Sequence, residues 1–193
     1  MLKGKLDHLP PHERQFIEPV FLKYAHFYYD EELNDFKATN VVEYEIPVGD
    51  TPPVGRPPYR TPYALREKMK TQVEKMLKQG VIRERHSCSA PSILVPKKSL
   101  DDKTKFWFCV YFRALNAVTK FNPHPLHAMD EAASILFGSK YFSVLECFSG
   151  FYQVSMREDH RQQTAFTLPS GHNKFTRLYF GLANSPYNIQ TDG

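Results

Sequence analysis

Apolar positions along this chain form helical stripes at its front and short strand-like runs behind them. After Pro10-Pro11, the residues Phe16, Ile17, Val20, Phe21, Tyr24, Phe27 and Tyr28 recur at the three- and four-residue spacing of one helix face. Pro19 inside that stripe predicts a kink or a start near it. The acidic run Asp30-Glu31-Glu32, followed by Asn34-Asp35, breaks the pattern, and Val41, Val42, Tyr44, Ile46 and Val48 predict a short strand. Four prolines within residues 51–58 favour extended backbone, the mark of a linker. Thr61-Pro62 then reads as N-cap and first position of a second helix. Leu65, Met69, Val73, Met76 and Leu77 form its apolar stripe, and Arg66, Lys68, Lys70, Lys75 and Lys78 lie largely off it. Gly80 is the expected stop.

The remaining pattern is mostly strand-like. Residues 93–96 and 105–111 flank a polar turn at 99–104, predicting a β-hairpin with a basic tip at Lys97-Lys98. Residues 113–116 predict a helical turn and 128–137 a short helix. An apolar strand over 141–146 ends in Glu146. Residues 163–168 and 174–180 flank Pro169-Ser170-Gly171 as a second hairpin, and 183–190 begin a helix. No internal repeat is visible.

Composition narrows the function. The 193 residues are 41% hydrophobic, too apolar for a disordered chain, and suit one domain or one plus an appendage. A chain this long buries roughly 70% of its unfolded surface and needs no staple. No apolar run approaches the roughly 18–20 residues that span a bilayer, so no membrane role is expected. The N-terminus lacks the apolar stretch of a signal peptide. Three cysteines, Cys88, Cys109 and Cys147, make an odd, sparse set. They argue against a disulfide framework and for an intracellular, cytoplasmic location. The net charge of +4 conceals a contrast: residues 1–55 carry −5, residues 56–120 carry +10 and residues 121–193 carry −1. The middle third is therefore the candidate surface for a polyanion, against the plainer reading of a solvated helix face and a lysine-rich turn. His124 and His127 have no third ligand nearby for zinc, and Ser149-Gly150 has no triad context.

From about residue 56 onward, eight segments in order carry a resemblance. They are Pro58-Tyr59-Arg60, Gln79-Gly80-Val81-Ile82-Arg83, residues 89–98 (SAPSILVPKK), Phe112-Arg113-Ala114-Leu115-Asn116, Tyr141-Phe142-Ser143-Val144, Ser149-Gly150-Phe151-Tyr152-Gln153-Val154, Thr164-Ala165-Phe166, and residues 180–186 (FGLANSP). Together they resemble the reverse transcriptase of gypsy-type LTR retrotransposons, in a truncated, degenerate form. The resemblance implies an α+β right-hand polymerase fold: fingers plus an incomplete palm, antiparallel strands with packed helices. Residues 1–55 would be an N-terminal connector with a helix and a short strand, 56–125 a fingers-like region, and 126–193 a partial palm, truncated before the second catalytic motif.

The implied activity is RNA-directed DNA synthesis on an RNA or DNA primer-template from deoxynucleoside triphosphates, with two Mg²⁺ ions. Two-metal phosphoryl transfer needs carboxylates that hold the ions about 3.5–4 Å apart. In the family one Asp ends the first palm strand and two more lie in a later Asp-Asp hairpin. Glu146 stands at the first place. Its extra methylene moves the carboxylate by about 1 Å, enough to cost on the order of 10²-fold in rate. Read without the resemblance, Glu146 is a solvated strand end. The chain stops before the Asp-Asp hairpin, so the fragment is expected to be inactive alone, with open palm edges that invite aggregation.

The resemblance also implies nucleotide-binding roles for Lys97, Lys98, Arg113, Phe151, Gln153, Phe180 and Gly181, with Phe151 as the bulky gate against a ribose 2′-hydroxyl. Lys97 and Lys98 read equally as a water-facing turn. Two departures stand out: Trp107 replaces a basic residue that contacts the triphosphate, and Tyr111 replaces the Asp before Phe112-Arg113. Arg60, Lys68, Lys75, Arg83 and Arg85 are the candidate contacts to the primer-template backbone, where charge and stacking serve better than base readout. The alternatives are a non-catalytic nucleic-acid-binding or interaction module derived from a retroelement, or a piece of a longer reading frame.

Overall fold

A computed structural model of the chain describes residues 6–24, 38–49, 51, 55–85, 90–97, 105–122, 134–140, 142, 144 and 146–185. The chain divides into two compact units, Met1–Lys37 and Ala38–Gly193. In the first, helix α1 (Pro11–Lys23) opens with proline in its first turn, where a missing N–H costs nothing. Pro19 lies inside the helix, and no α1 residue is fully buried: Ile17 and Phe21 are half-buried, while Phe16, Val20 and Leu22 are exposed.

In the second unit, helix α2 (Tyr63–Lys78) starts one residue later than expected: Pro62, with extended ψ of 140°, is its N-cap. Element ends commonly shift by this much. Its C-terminus follows the sequence. Gly80 takes a left-handed φ of +67°. Its N–H donates to the Leu77 carbonyl at 3.0 Å, and Val81 N–H to Met76 at 3.0 Å. This paired closure satisfies the last helix carbonyls. Met69, Val73 and Met76 are the buried face of α2.

The main sheet has five strands in the order β2-β7-β6-β3-β4. They are β2 (Ile82–Glu84), β3 (Ala90–Pro96), β4 (Phe106–Val110), β6 (Phe166–Leu168) and β7 (Gly171–Phe175). The first hairpin forms as expected, whereas the second is shifted: a 3-10 turn takes residues 161–164, its strands are 166–168 and 171–175, and 176–180 is not strand, because the chain there turns into the core at Leu178 and Tyr179. β3 pairs antiparallel with β4 from Ser92↔Val110 to Pro96↔Phe106, and β6 pairs with β7 across a tight turn from Leu168↔Gly171. The sheet is mixed, because β3 and β6 run parallel. β1 (Thr39–Tyr44) pairs parallel with β5 (Val154–Met156), with a bulge between Thr39 and Glu43. The strand expected in the connector therefore belongs to the larger unit, locked there by Ile46 N–H donating to His160 Nδ1 at 2.9 Å.

An aromatic stack fills the core. Phe175 and Tyr179 lie face to face at 4.1 Å, Phe166 sits 5.0 Å from Phe175, and Phe112 meets both Phe175 and Tyr179 edge-on at 6.3 Å. The buried Tyr179 hydroxyl donates to the Phe108 carbonyl, which fastens the stack to β4.

A further expectation fails. The apolar run 141–146 forms no strand among its described residues, and Phe142 and Val144 are 61% and 92% exposed. An apolar run is held as strand by ladder partners and a covering layer, and the described residues supply neither here. The helix expected over 128–137 falls mostly outside the described residues. Lys98, Cys88, His124 and His127 lie outside them, as does all of the expected 183–190 helix beyond Ser185.

Candidate nucleic-acid and nucleotide site

Two segments far apart in sequence build the centre of the site. Helix α3 (Arg113–Val118) follows β4 directly, and residues 180–184 follow the buried Leu178 and Tyr179. Asn116 joins them: its Nδ2 donates to the Gly181 carbonyl at 2.8 Å, and its Oδ1 accepts from Ala183 N–H at 3.0 Å. Only this amide orientation satisfies both bonds. Asn184 closes the other end, donating to Lys120 O at 3.0 Å and accepting from Asn122 N–H at 3.3 Å. Gly181, at φ +90°, makes the turn that aims its carbonyl at Asn116. Ser185 Oγ donates to Tyr179 O at 2.9 Å.

Phe180 stacks on Tyr179 at 4.1 Å and meets Trp107 edge-on at 6.2 Å. Lys97 Nζ sits 3.6 Å over the Trp107 ring. Trp107 carries no charge, yet the neighbouring strand brings a cation onto it. Arg113, fully exposed, donates to the Tyr111 hydroxyl at 3.4 Å, which raises its already high pKa further. Tyr111 also packs edge-on against Tyr59 at 6.1 Å.

Phe151 and Gln153 lie in the short 3-10 turn Gly150–Gln153. Ser149, left-handed at φ +48°, bends the chain into that turn, and Gln153 Nε2 donates to Phe148 O at 2.9 Å. Phe151 is half-buried against the core. Beside it, burial of Tyr152 among Tyr179 and Met76 pushes its phenol up to about 12. Glu146 is exposed and has no hydrogen bond or ion pair among the described residues. No three His, Cys, Asp or Glu side chains converge on a metal position among them. The described carboxylates therefore do not fit a two-metal centre. No helix among the described residues is long and apolar enough to cross a membrane.

The expected backbone contacts are spread more widely. Lys68 and Lys75 lie seven residues apart on one stripe of α2, with Lys68 Nζ 4.6 Å over Phe106. Arg83 is exposed on β2 opposite Lys174, and Arg60 is exposed ahead of α2. Arg85 is half-buried and bonds Gln162 Oε1 at 2.8 Å, so part of its donor capacity is committed within the fold.

A family model described as "Reverse transcriptase (RNA-dependent DNA polymerase)" matches residues 95–191, half of the chain. This chain belongs to the reverse transcriptase family. Polymerases of this family generally work with divalent metal. The chain is 30% identical over 188 residues to the Retrovirus-related Pol polyprotein from transposon 297 of Drosophila melanogaster, covering 96% of this chain and 18% of that one. It is 33% identical over 162 residues to the polyprotein from transposon 412 of the same fly, covering 82% and 13%. The Cauliflower mosaic virus (strain Strasbourg) enzymatic polyprotein is 34% identical over 126 residues, covering 65% and 19%. The chain thus spans less than a fifth of each. Among solved structures, the Prototype Foamy Virus protease-reverse transcriptase shares the fold at a TM-score of 0.80 and 23% identity, over 96% of this chain and 24% of that one. A foamy viral protease-reverse transcriptase in complex with RNA/DNA hybrid matches at 0.75, with 20% identity over the same shares.

The family sequence pattern marked residues 112–116 and 180–186 but not their hydrogen-bonded union. No local rule predicts that Asn116 reaches across 65 residues. The Lys97–Trp107 contact was equally hidden, although alternation along β4 sets Trp107 on the face opposite Phe108.

Proposed function

We propose that this chain is the fingers-like region (56–125) and the first part of the palm (126–193) of a gypsy-type retrotransposon reverse transcriptase, preceded by a connector (1–55). In this reading it holds a primer-template through Arg60, Lys68, Lys75, Arg83 and Arg85. It presents Lys97, Lys98, Arg113, Phe151, Gln153, Phe180 and Gly181 toward a deoxynucleoside triphosphate. The supporting observation is that Asn116 binds Gly181 and Ala183 while Asn184 binds Lys120 and Asn122, joining residues 116–122 to 181–184 within a fold shared with foamy virus reverse transcriptase. The transposon polyproteins and the RNA/DNA hybrid complex agree with it.

Glu146 takes the first metal-ligand position, for Mg²⁺. The 193 residues alone bind nucleic acid without extending a primer, because no carboxylates among the described residues converge to clamp two ions. The exposure of Glu146 favours the second reading, a non-catalytic binding module derived from a retroelement. Primer extension with Mg²⁺, beside retention of a labelled primer-template across a salt series, tests both. Salt-sensitive retention without extension is expected. Extension abolished by Glu146→Ala overturns the non-catalytic part, and absence of salt-sensitive retention overturns the nucleic-acid reading.

A further inference from the structure

Three basic side chains are drawn into the surface beside β5, and the carboxylates there serve only two of them. Arg161 Nε donates to the Met156 carbonyl at 2.8 Å, and its Nη1 donates to Glu158. Lys174 Nζ on β7 lies 3.7 Å from the same Glu158. The Arg161 and Lys174 side chains are 16% and 18% exposed. Arg177 is the third. It forms an isolated antiparallel bridge with Ser155, and its Nη1 donates to Ser155 Oγ at 3.0 Å. Glu45 and Asp159 are both engaged by Arg157. Glu43, next to Ser155 in the β1–β5 register, is exposed and makes no ion pair with Arg177. Among the described residues, Arg177 therefore has a hydroxyl for a partner and no carboxylate.

A half-buried guanidinium without a counter-charge is unfavourable, because it gives up hydration for one neutral hydrogen bond. Burial, and after it the charge of Arg161, push the Arg177 guanidinium below its ordinary range. Two like charges this close favour an anion that reaches both. Donors remain to hold one. Arg177 commits Nη1 to Ser155, and Arg161 commits Nε and Nη1, so Nε and Nη2 of the first and Nη2 of the second are open among the described residues. Ser155 Oγ accepts from Arg177, which leaves its own O–H to donate. The two arginines are fastened to successive residues of one strand, Ser155 and Met156. Their donors are thus set in place before any ligand arrives, which lowers the ordering cost of binding.

We propose that Arg177, Arg161 and the Ser155 hydroxyl form a binding site for a small phosphate-class oxyanion, which serves as the counter-charge to Arg177. Guanidinium forks match the spaced oxygens of such an ion, whereas a halide offers them a single point. Neither arginine is among the residues proposed to meet the primer-template. The ligand completes the charge balance of the fold beside β5, so it acts on stability and not on template retention.

Inorganic phosphate is the probe, titrated into the intact chain at neutral pH with chloride holding the ionic strength constant. Binding is read from phosphorus NMR line broadening and stability from the thermal midpoint. Saturable binding is expected, with the midpoint raised by about 3–6 °C at about ten times the Kd. Arg177→Gln keeps a donor for Ser155 but removes the charge; it weakens phosphate binding about tenfold and abolishes the rise. In chloride alone this variant is at least as stable as the parent, because a half-buried charge without a carboxylate is gone. Ser155→Ala weakens binding about threefold. A rise equal in the parent and in Arg177→Gln is the general salting effect of phosphate and overturns the inference. So does unsaturable binding, or an Arg177→Gln chain less stable than the parent in chloride alone. Labelled single-stranded DNA is the last arm. Its affinity is expected to be unchanged in Arg177→Gln, and a loss above about threefold assigns Arg177 to nucleic acid and overturns the small-anion site.

Discussion

Replacing Asn116 by alanine removes both bonds that tie α3 to the segment carrying Phe180 and Gly181. The lost pair is unequal. Gly181 is exposed, so its carbonyl turns to water, at a net cost of about 0.5–1 kcal/mol. Ala183 N–H is partly buried, and losing its acceptor costs about 1–2 kcal/mol. The cost is contained because Leu115 is still buried in the core and Asn184 still holds Lys120 and Asn122. A total of about 2 kcal/mol follows. For a chain of this size it lowers the thermal midpoint by roughly 4–8 °C.

Asn116→Asp separates the two bonds. It keeps the acceptor for Ala183 N–H and discards the donor to Gly181, so it costs less than the alanine variant near neutral pH. Thr71→Ala, on the exposed side of α2, is the control, expected to change stability by less than about 0.5 kcal/mol. Urea denaturation followed by circular dichroism measures all three. An alanine variant as stable as the control would refute the clamp as an energetic link. An aspartate variant as damaging as alanine would show that the Ala183 bond carries none of the stabilisation.

Gly80→Ala tests a backbone term alone: φ is +67° and an added Cβ meets nothing within 4 Å, so a loss of about 1 kcal/mol is expected from conformation only, read from the same urea curves. His160→Ala removes the acceptor for Ile46 N–H, whose side chain is buried, and should cost about 1–2 kcal/mol; a loss under about 0.3 kcal/mol refutes the view that this bond anchors the segment after β1. Burial raises the phenols of Tyr44 and Tyr179 and lifts Tyr152 to about 12. A raised folded pKa gives stability that is complete below the unfolded value near 10 and is lost as pH climbs through the folded one. Phenolate absorbance between about pH 10 and 12 should therefore lag behind that of the urea-unfolded chain, and Tyr152→Phe should reduce the lag.

What the chain reveals before folding depends on how far each determinant reaches. The α2 stop at Gly80, the β3–β4 hairpin and the turn between β6 and β7 are written within a few residues, so spacing and turn chemistry suffice for them, though not for the extent of β6 and β7. The parallel pairs β1–β5 and β3–β6 join strands separated by over 70 residues, and alternation in one strand says nothing about its neighbour. Residues 141–146 show the converse error. Their apolar rhythm is that of a strand, but Phe142 and Val144 are exposed and the run forms no strand among its described residues. The site divides along the same line. Position 107 taken alone reads as a lost charge. The cation that meets its ring comes from Lys97, ten residues away in sequence and delivered by strand register. A residue on a strand therefore has its charge environment set by its cross-strand neighbour as much as by its own side chain. Glu146 differs: it is exposed, and no hydrogen bond or ion pair among the described residues fixes its carboxylate. Under the proposed function, binding and primer extension are expected to separate, and salt-series retention read beside Mg²⁺ extension measures the two apart.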